Sequence, residues 1–157
     1  LRVAAFDPYM ERSPVEGVEL VKDFRAILPE TDFLCLHLPS TPETRDLIGA
    51  GELALLKRGA FVINCARGGI VDEDVLCDAL ESGHLGGAGL DVFAKEPPDT
   101  AHRLFRQEKV LLSPHNAALT EECAIRMATQ AVQNVLDCLD GKLQTRVVMN
   151  RREIGMA

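Results

Sequence analysis

The chain has 157 residues, with 17 lysines and arginines against 24 aspartates and glutamates and a formal net charge of −7. This length supports one domain with a substantial core, and it is short for two. The acidic excess repels phosphate groups, which argues against nucleic acid or an anionic membrane surface as a partner, and no apolar run approaches the ~20 residues of a membrane span.

Short apolar runs alternate along the chain with segments of helical character. The first part predicts strands over Arg2–Phe6 and Val18–Val21, a helix over Phe24–Leu28 with Asp23 as its N-cap, a strand over Phe33–Leu38 and a helix over Glu52–Lys57. The nearly continuous apolar character of Phe33–Leu38 is typical of a strand covered on both faces, and Pro39 ends it.

The second part continues the alternation. It predicts a strand over Ala60–Cys65, a helix from Asp72 to Gly83, a strand over Ala88–Phe93, a strand over Val110–Leu112 and a helix over Thr120–Leu139 that Gly141 closes. The last helix has an apolar stripe formed by Ala124, Ala128, Ala131, Val132, Val135, Leu136 and Leu139. Strands that alternate with helices indicate an α/β fold, in which a mostly parallel, doubly wound sheet carries helices on both faces.

The cysteines are odd in number, widely spaced and mostly placed inside apolar runs. Such spacing is unlike a disulfide framework or a metal site. It predicts reduced, buried thiols in a cytoplasmic protein. The five positions are Cys35, Cys65, Cys77, Cys123 and Cys138.

Ligands of a parallel α/β sheet bind at the carboxyl ends of its strands, so the polar residues that follow the strands are candidates for function. A carboxylate at the first of them, Asp7, can accept hydrogen bonds from both ribose hydroxyls of an adenine dinucleotide. An Asp-Pro turn explains the same residue equally well. The full set of strand-end candidates is Asp7, His37, Arg67, Asp91 and His115.

Arg67 lies in the segment Cys65-Ala66-Arg67-Gly68-Gly69, directly after a predicted buried strand. A guanidinium group offers a planar pair of donors that matches a carboxylate, and the glycines let the backbone approach a ligand closely. An arginine at the mouth of a parallel sheet faces the ligand crevice. The position therefore favours a functional role over that of a surface arginine in a turn.

His115 and Glu96 follow two further strands. A histidine can donate and accept protons near pH 7, and a neighbouring carboxylate orients its ring and favours the imidazolium. A lone histidine is more often a partner for a buried backbone group. Here Arg67 and Glu96 stand on loops at the same predicted edge, which favours an acid/base role for His115.

The other histidines carry weaker signals. His37 ends a strand and is expected at most to contact a cofactor, His84 is expected to have a structural role beside a helix end, and His102 is assigned no role. The sequence shows neither metal-ligand spacing nor a G-x-S-x-G nucleophile segment, so no metal site is predicted.

Five segments that occur in this order carry a family resemblance. They are Phe6-Asp7-Pro8-Tyr9; His37-Leu38-Pro39 with Thr41 and Thr44; Asn64-Cys65-Ala66-Arg67-Gly68-Gly69; Gly89-Leu90-Asp91-Val92-Phe93 with Glu96-Pro97; and Ser113-Pro114-His115. From about residue 3 to residue 150, the chain resembles the D-isomer-specific 2-hydroxyacid dehydrogenases, which include phosphoglycerate, glyoxylate/hydroxypyruvate, D-lactate and formate dehydrogenases and a transcriptional corepressor branch. The resemblance implies a Rossmann-like fold, NAD as cofactor and a small 2-keto or 2-hydroxy acid as substrate, in a cytoplasmic homodimer.

The resemblance also implies residue roles. Arg67 resembles the clamp for the substrate carboxylate, His115 the acid/base and Glu96 its paired carboxylate. Asp7, next to Pro8, resembles the acceptor of the adenosine ribose, and Asp91 the residue that holds the nicotinamide carboxamide. Further cofactor contacts are implied for His37, Leu38, Pro39 and Thr44 on the adenosine side and for Cys65, Ala66, Arg67 and His115 near the nicotinamide.

Two departures from the family pattern qualify the prediction. Asn116-Ala117-Ala118 replaces a glycine-rich step after the histidine, which leaves the substrate open. The phosphate-binding G-x-G-x-x-G segment does not occur in the chain, so the fold is expected to be incomplete at its N-terminal side. We expect the carboxyl part of a longer dehydrogenase, inactive alone, with a partial dinucleotide-binding domain over residues 1–118 and a C-terminal helix and tail over residues 119–157 that return toward a substrate domain.

Two alternatives to an enzyme remain open at this point. One is a non-catalytic NAD-binding regulatory module like the corepressor branch, which can keep the same arginine, glutamate and histidine. The other is a structural half-domain that pairs with another chain supplying a missing strand. Assays with 2-keto acids and measurements of assembly separate these possibilities.

Overall fold

The computed structural model describes residues 1–155. They divide into two compact units, Leu1–His115 and a second unit that begins at Asn116. The division falls three residues before the predicted domain boundary after residue 118. The last two residues of the predicted range 119–157 lie outside the described residues.

The first unit contains two parallel sheets. Strand β1 (Val3–Phe6) pairs with β2 (Val18–Val21). The larger sheet has the order β3-β4-β5-β6, formed by Phe33–Leu36, Phe61–Asn64, Gly87–Leu90 and Val110–Leu112. All the strand pairs in these sheets are parallel, which places the carboxyl ends of β3 to β6 at one edge. The predicted α/β fold with a parallel sheet is confirmed.

Helices connect the strands of this unit. Helix α1 spans Ala50–Leu55 and α2 spans Glu73–Glu81. The carboxylate of Asp72 accepts hydrogen bonds from the N–H groups of residues 74 and 75, so this residue caps α2 as predicted. Short 3-10 helices cover Arg25–Glu30 and Arg103–Arg106, the first in place of the helix predicted over residues 24–28.

The core lies on one face of the larger sheet. Leu36, Val62 and Leu90 are buried there with Leu53 and Leu76 of the two helices. Side chains alternate between the faces of a strand, and the opposite face carries Phe33, Cys35, Phe61 and Leu111, all of which are exposed. The rings of Phe33 and Phe61 stack on that face at 5.3 Å.

Strand β3 therefore differs from its prediction in two ways. It ends at Leu36, two residues before the predicted end, and Phe33 and Cys35 are exposed. The interpretation of this strand as covered on both faces is wrong for the residues described. The cause is the two-residue period of the strand, because only the side chains of Leu34 and Leu36 turn toward the helices and the core.

The cysteines are free, as predicted, but most of them are not buried. Cys35, Cys65 and Cys138 are exposed and Cys123 is partly buried, so only Cys77 has the predicted location. Burial raises the pKa of the Cys77 thiol, which makes it a poor nucleophile. The apolar neighbours in sequence misled the prediction because they do not show which face of an element a residue occupies.

The second unit contains helix α3, which spans Glu121–Leu139. The hydroxyl of Thr120 accepts a hydrogen bond from the N–H of Cys123, and Gly141 adopts a left-handed conformation with φ of 68° just past the end of the helix. The predicted helix and both of its ends are confirmed. Within residues 1–155, no helix combines the length and apolar character needed to cross a bilayer.

Candidate active site

The edge formed by the carboxyl ends of β4, β5 and β6 holds several candidate residues. Past the ends of these strands, the N–H of Asp91 donates to the carbonyl of Asn64 at 3.0 Å, and the N–H of Ser113 donates to the carbonyl of Leu90 at 3.0 Å. Hydrogen bonding thus continues one residue beyond the sheet. It fixes the backbone of Asp91 and Ser113 where parallel α/β sheets bind their ligands.

The loop that carries Arg67 is held by the buried side chain of Asn64. The Asn64 Oδ1 atom accepts from the N–H of Ala66 at 3.0 Å, and its Nδ2 atom donates to the carbonyl of Arg67 at 3.0 Å. The amide is only 2% exposed, so a polar group is buried here for these two bonds. Sequence reasoning missed Asn64, although a polar residue at the end of an apolar strand was a signal for it.

Six predicted residues line one groove beside this loop. The exposed Arg67 guanidinium donates from Nη1 to the Ala66 carbonyl at 2.6 Å, which folds the side chain back toward its own loop. The groove is lined by His37, Leu38, Pro39, Cys65, Ala66 and Arg67.

Thr44 supports one wall of the groove. Its hydroxyl donates to the carbonyl of Pro39 at 2.8 Å and accepts from the N–H of Thr41 at 2.7 Å. These bonds close the turn that follows His37-Leu38-Pro39. The contacts of Thr44 are thus with the backbone of the groove wall.

His115 and Glu96 form a pair at the same edge. The Nδ1 atom of His115 lies 2.8 Å from Oε2 of Glu96, and Oε1 of Glu96 accepts from the N–H of Phe93 at 3.0 Å. The hydrogen bond from His115, followed by that from Phe93, lowers the pKa of Glu96. Because Nδ1 is engaged by the carboxylate, Nε2 is the ring nitrogen that can exchange a proton with a ligand.

Asp91, the residue that directly follows β5, is a buried carboxylate that is 3% exposed. The hydroxyl of Ser113 donates to its Oδ1 atom at 2.5 Å. Ser113 belongs to the segment Ser113-Pro114-His115, and no role was predicted for it from sequence.

Asp7 and Pro8 follow the two-stranded sheet, whereas the residues above follow the larger one. The Asp7 carboxylate accepts a hydrogen bond from the N–H of Tyr9 at 2.8 Å, and the Asp7 carbonyl accepts from the N–H of Met10 at 3.3 Å. The Asp-Pro turn that the sequence predicts as the alternative role of Asp7 is therefore present. A role toward ribose is compatible with it, because a carboxylate can accept several hydrogen bonds.

The two other histidines make structural contacts. His84 lies 3.0 Å from the carbonyl of Leu53 through Nε2, and Nδ1 of His102 accepts from the N–H of Leu104 at the start of a 3-10 helix. Among residues 1–155, no three His, Cys, Asp or Glu side chains converge on a possible metal position.

The residues of this edge suit the nicotinamide half of a dinucleotide and a small acid beside it. A buried carboxylate can accept from a carboxamide, an imidazole paired with a carboxylate can carry a proton, and an exposed guanidinium can bind an anion. The donor set therefore fits a pyridine nucleotide and a carboxylic acid.

Comparison with known proteins agrees with this chemistry. Residues 1–117 match the family described as D-isomer specific 2-hydroxyacid dehydrogenase, NAD binding domain. A D-3-phosphoglycerate dehydrogenase from Methanocaldococcus jannaschii is 39% identical over 150 residues, which are 94% of this chain and 28% of that protein. The chain thus spans about a quarter of the length of this curated relative.

Solved structures show the same relationship. The NAD-complexed D-isomer specific 2-hydroxyacid dehydrogenase from Lactobacillus delbrueckii ssp. bulgaricus has a TM-score of 0.81 at 30% identity, over 91% of this chain and 47% of the other. A D-isomer specific 2-hydroxyacid dehydrogenase from Xanthobacter autotrophicus Py2 in complex with NADPH and MES has a TM-score of 0.76 at 36% identity, over 90% of this chain and 58% of the other. These likenesses confirm the Rossmann-like fold, and together with the family match they show that the chain belongs to the D-isomer specific 2-hydroxyacid dehydrogenases, with residues 1–117 matching their NAD-binding domain.

Proposed function

We propose that this chain works within a longer polypeptide, called the full-length enzyme below, which uses NAD to interconvert a small 2-keto acid and the corresponding 2-hydroxy acid. Within it, residues 1–118 serve as part of the dinucleotide-binding domain, and residues 119–157 provide the helix and tail that return toward a substrate domain. The observation that carries the proposal is the 2.8 Å pair of His115 and Glu96 at the sheet edge that also carries Arg67 and Asp91.

Arg67 binds the carboxylate of the substrate. Its guanidinium group is exposed and lines the groove, and two parallel N–H groups match the two oxygens of a carboxylate. Asn64 keeps the backbone of this loop in place through its bonds to residues 66 and 67. Held in this way, the substrate presents its carbonyl group in a fixed direction.

His115 acts as the acid when the keto acid is reduced. Its Nε2 atom donates a proton to the carbonyl oxygen as that oxygen gains negative charge, and in the reverse direction the same atom removes the proton of the hydroxyl group. Glu96 holds the ring by Nδ1 and stabilises the imidazolium form by its charge. When bound, the nicotinamide ring supplies the hydride for reduction or accepts it in oxidation.

The remaining cofactor residues hold and select the dinucleotide. Asp91 accepts from the carboxamide of the nicotinamide, and Asp7 accepts from the hydroxyls of the adenosine ribose. Pro8 belongs to the turn that presents Asp7. The other contacts come from the groove and the turn that supports it: His37, Leu38, Pro39, Thr44, Cys65 and Ala66.

Phosphoglycerate and D-lactate dehydrogenases among the matching proteins support a small 2-hydroxy acid as substrate. We further propose that the full-length enzyme is a cytoplasmic homodimer. Its free cysteines, three of which are exposed, support the compartment, since exposed thiols persist where the environment is reducing. Sedimentation of the full-length enzyme across a concentration series tests the dimer.

Steady-state reduction of a panel of 2-keto acids by NADH tests the reaction. We expect turnover with at least one acid, and His115→Ala is expected to lower kcat by about 10²–10⁴-fold while NADH binding changes little. An unchanged kcat would remove His115 from the mechanism. NADH binding without turnover of any acid would instead support the second candidate, a non-catalytic NAD-binding regulatory module.

A further inference from the structure

We propose that Ser113 is a positioning residue for the nicotinamide end of the cofactor, acting through Asp91. The inference rests on the proposed function, because it takes Asp91 as the acceptor of the carboxamide. Ser113 is partly buried, and its hydroxyl donates to Oδ1 of Asp91 at 2.5 Å. No contact of Ser113 with substrate is implied.

The burial of Asp91 explains why such a donor is needed. A carboxylate that is 3% exposed has lost most of its water, and an ionised group is stable there only when hydrogen bonds replace that water. The Ser113 hydroxyl supplies one of these bonds. It also fixes the plane of the carboxylate, and with it the direction from which Asp91 can accept a proton of a ligand amide.

The sheet brings the two side chains together. Leu90 and Leu112 are partners in the parallel pairing of β5 with β6, so Asp91 and Ser113 follow side by side. The backbone bonds of Asp91 to Asn64 and of Ser113 to Leu90 hold both residues before any ligand arrives. Because the backbone is already ordered, the hydroxyl–carboxylate bond forms with little further loss of conformational entropy.

Ser113 also lies two residues before His115. The same hydroxyl therefore ties the segment that carries the acid/base to the buried carboxylate that follows β5. This bond fixes the position of the carboxamide acceptor, Asp91, relative to that of the proton donor, His115. A misplacement of either one reduces the rate, because hydride and proton must reach adjacent atoms of the same carbonyl group.

Equilibrium binding of two ligands to the full-length enzyme separates this role from general stability. NADH contains the nicotinamide and ADP-ribose lacks it, while both share the adenosine, ribose and phosphate groups. Ser113→Ala is expected to lower the affinity for NADH about tenfold, which is the scale of a lost hydrogen bond to a charged group. Its affinity for ADP-ribose is expected to stay unchanged. Ser113→Thr keeps a hydroxyl at the same position and is expected to retain NADH affinity.

Two results would overturn the inference. One is that Ser113→Ala binds NADH with wild-type affinity. The other is that Ser113→Ala binds NADH and ADP-ribose equally more weakly than the wild type does, which would indicate structural damage. Asp91→Asn provides the reference, and Ser113→Ala is expected to add nothing in that background because it acts through Asp91. If Asp91→Asn binds NADH normally, the assignment of Asp91 in the proposed function fails. If Asp91→Asn lowers the affinity for NADH while Ser113→Ala does not, only the inference about Ser113 fails.

Discussion

The backbone of Gly68 lies directly against the carbonyl group of Phe93. A Cβ atom at position 68 would stand 1.7 Å from the carbonyl oxygen and 2.1 Å from the carbonyl carbon, where no side chain fits. The N–H of Phe93 donates to Glu96, so this contact joins the loop that carries Arg67 to the loop that carries the partner of His115. The carboxylate clamp and the acid/base pair therefore share one rigid contact.

Gly68→Ala is expected to separate these two loops. The methyl group must displace Phe93 or the arginine loop, and a shift of about 1 Å in a catalytic group lowers the rate by roughly a hundredfold. Measurement of kcat/KM for the keto acid in the full-length enzyme checks this. Gly69→Ala is the matched control. Its φ of 73° means that alanine strains the backbone there, but apart from its chain neighbours no atom lies within 4 Å of where the methyl group would stand, so Phe93 need not move. Equal losses in both variants would contradict the steric argument.

Glu96→Gln is expected to change the pH dependence of reduction. Glu96 has a lowered pKa because His115 and then the N–H of Phe93 donate to it. The pair therefore stabilises the folded protein at pH values above the usual pKa of a glutamate. This stabilisation is lost as the pH falls through the lowered pKa of Glu96. Glutamine removes the charge that favours the imidazolium, so the pH at which reduction fails on the alkaline side should move downward.

Glu73→Gln is the control for this experiment. Glu73 accepts from the N–H of Ala94 at 2.6 Å and so supports the same loop without contacting His115. Its profile should keep its position along the pH axis. An unmoved profile in Glu96→Gln would show that this carboxylate does not govern His115.

Arg67→Lys is expected to raise KM for the keto acid and to lower kcat. Lysine keeps the charge but loses the two parallel donors, so the carboxylate is held in a less defined orientation. A combined effect on kcat/KM of roughly tenfold to a hundredfold is the scale of a lost charged hydrogen bond. Arg58→Lys, at an exposed site before β4, should leave both constants unchanged. If only NADH affinity suffers, Arg67 serves the cofactor instead.

The framework of strands was predictable because its signals are local. Strand β6 is bounded by polar residues and Ser113-Pro114, and helix α3 has a threonine cap, an apolar stripe and a closing glycine. The ends of both elements were therefore predicted to within one residue. The exposure of Cys35 was not predictable, since it depends on which face of β3 the rest of the unit covers. Likewise, the role of Gly68 depends on Phe93, 25 residues away, and no local pattern reveals such a contact.

The proximity of two predicted site residues followed from their position in the fold and from their chemistry. His115 and Glu96 were paired from the rule that strand ends share one edge, and the structure brings them to 2.8 Å. Asn64 and Ser113 were missed because their importance lies in hydrogen bonds to Ala66, Arg67 and Asp91. Such bonds depend on atomic positions that residue type and spacing do not determine.

Asp7→Ser is expected to narrow the preference for NADH over NADPH. A carboxylate repels the 2′-phosphate of NADPH, and serine removes the charge while its hydroxyl can still accept from the N–H of Tyr9. Asp23→Ser is the matched control, because Asp23 accepts in the same way from the N–H of Arg25 after strand β2. The ratio of kcat/KM for the two cofactors should change only in Asp7→Ser. A wild-type preference for NADPH would place Asp7 away from the ribose.

Alkylation of the native full-length enzyme is expected to distinguish its thiols. Cys65 is exposed in the groove and should react quickly, whereas Cys77 is fully buried with a raised pKa and should react only on unfolding. NADH at ten times its Kd should slow modification of Cys65 about tenfold, since only the free enzyme reacts. Cys138 on α3 serves as the internal reference, because its rate should not respond to NADH. Mass spectrometry of peptides over time measures all three.

The backbone of His115 has a left-handed conformation, with φ of 53°. For residues other than glycine, the left-handed conformation costs about 1 kcal/mol, and asparagine tolerates it better than most residues. Folding alone would therefore favour glycine or asparagine at this position. His115→Asn should raise the free energy of unfolding while it removes the proton donor, so the backbone conformation that presents the imidazole lowers the stability of the fold.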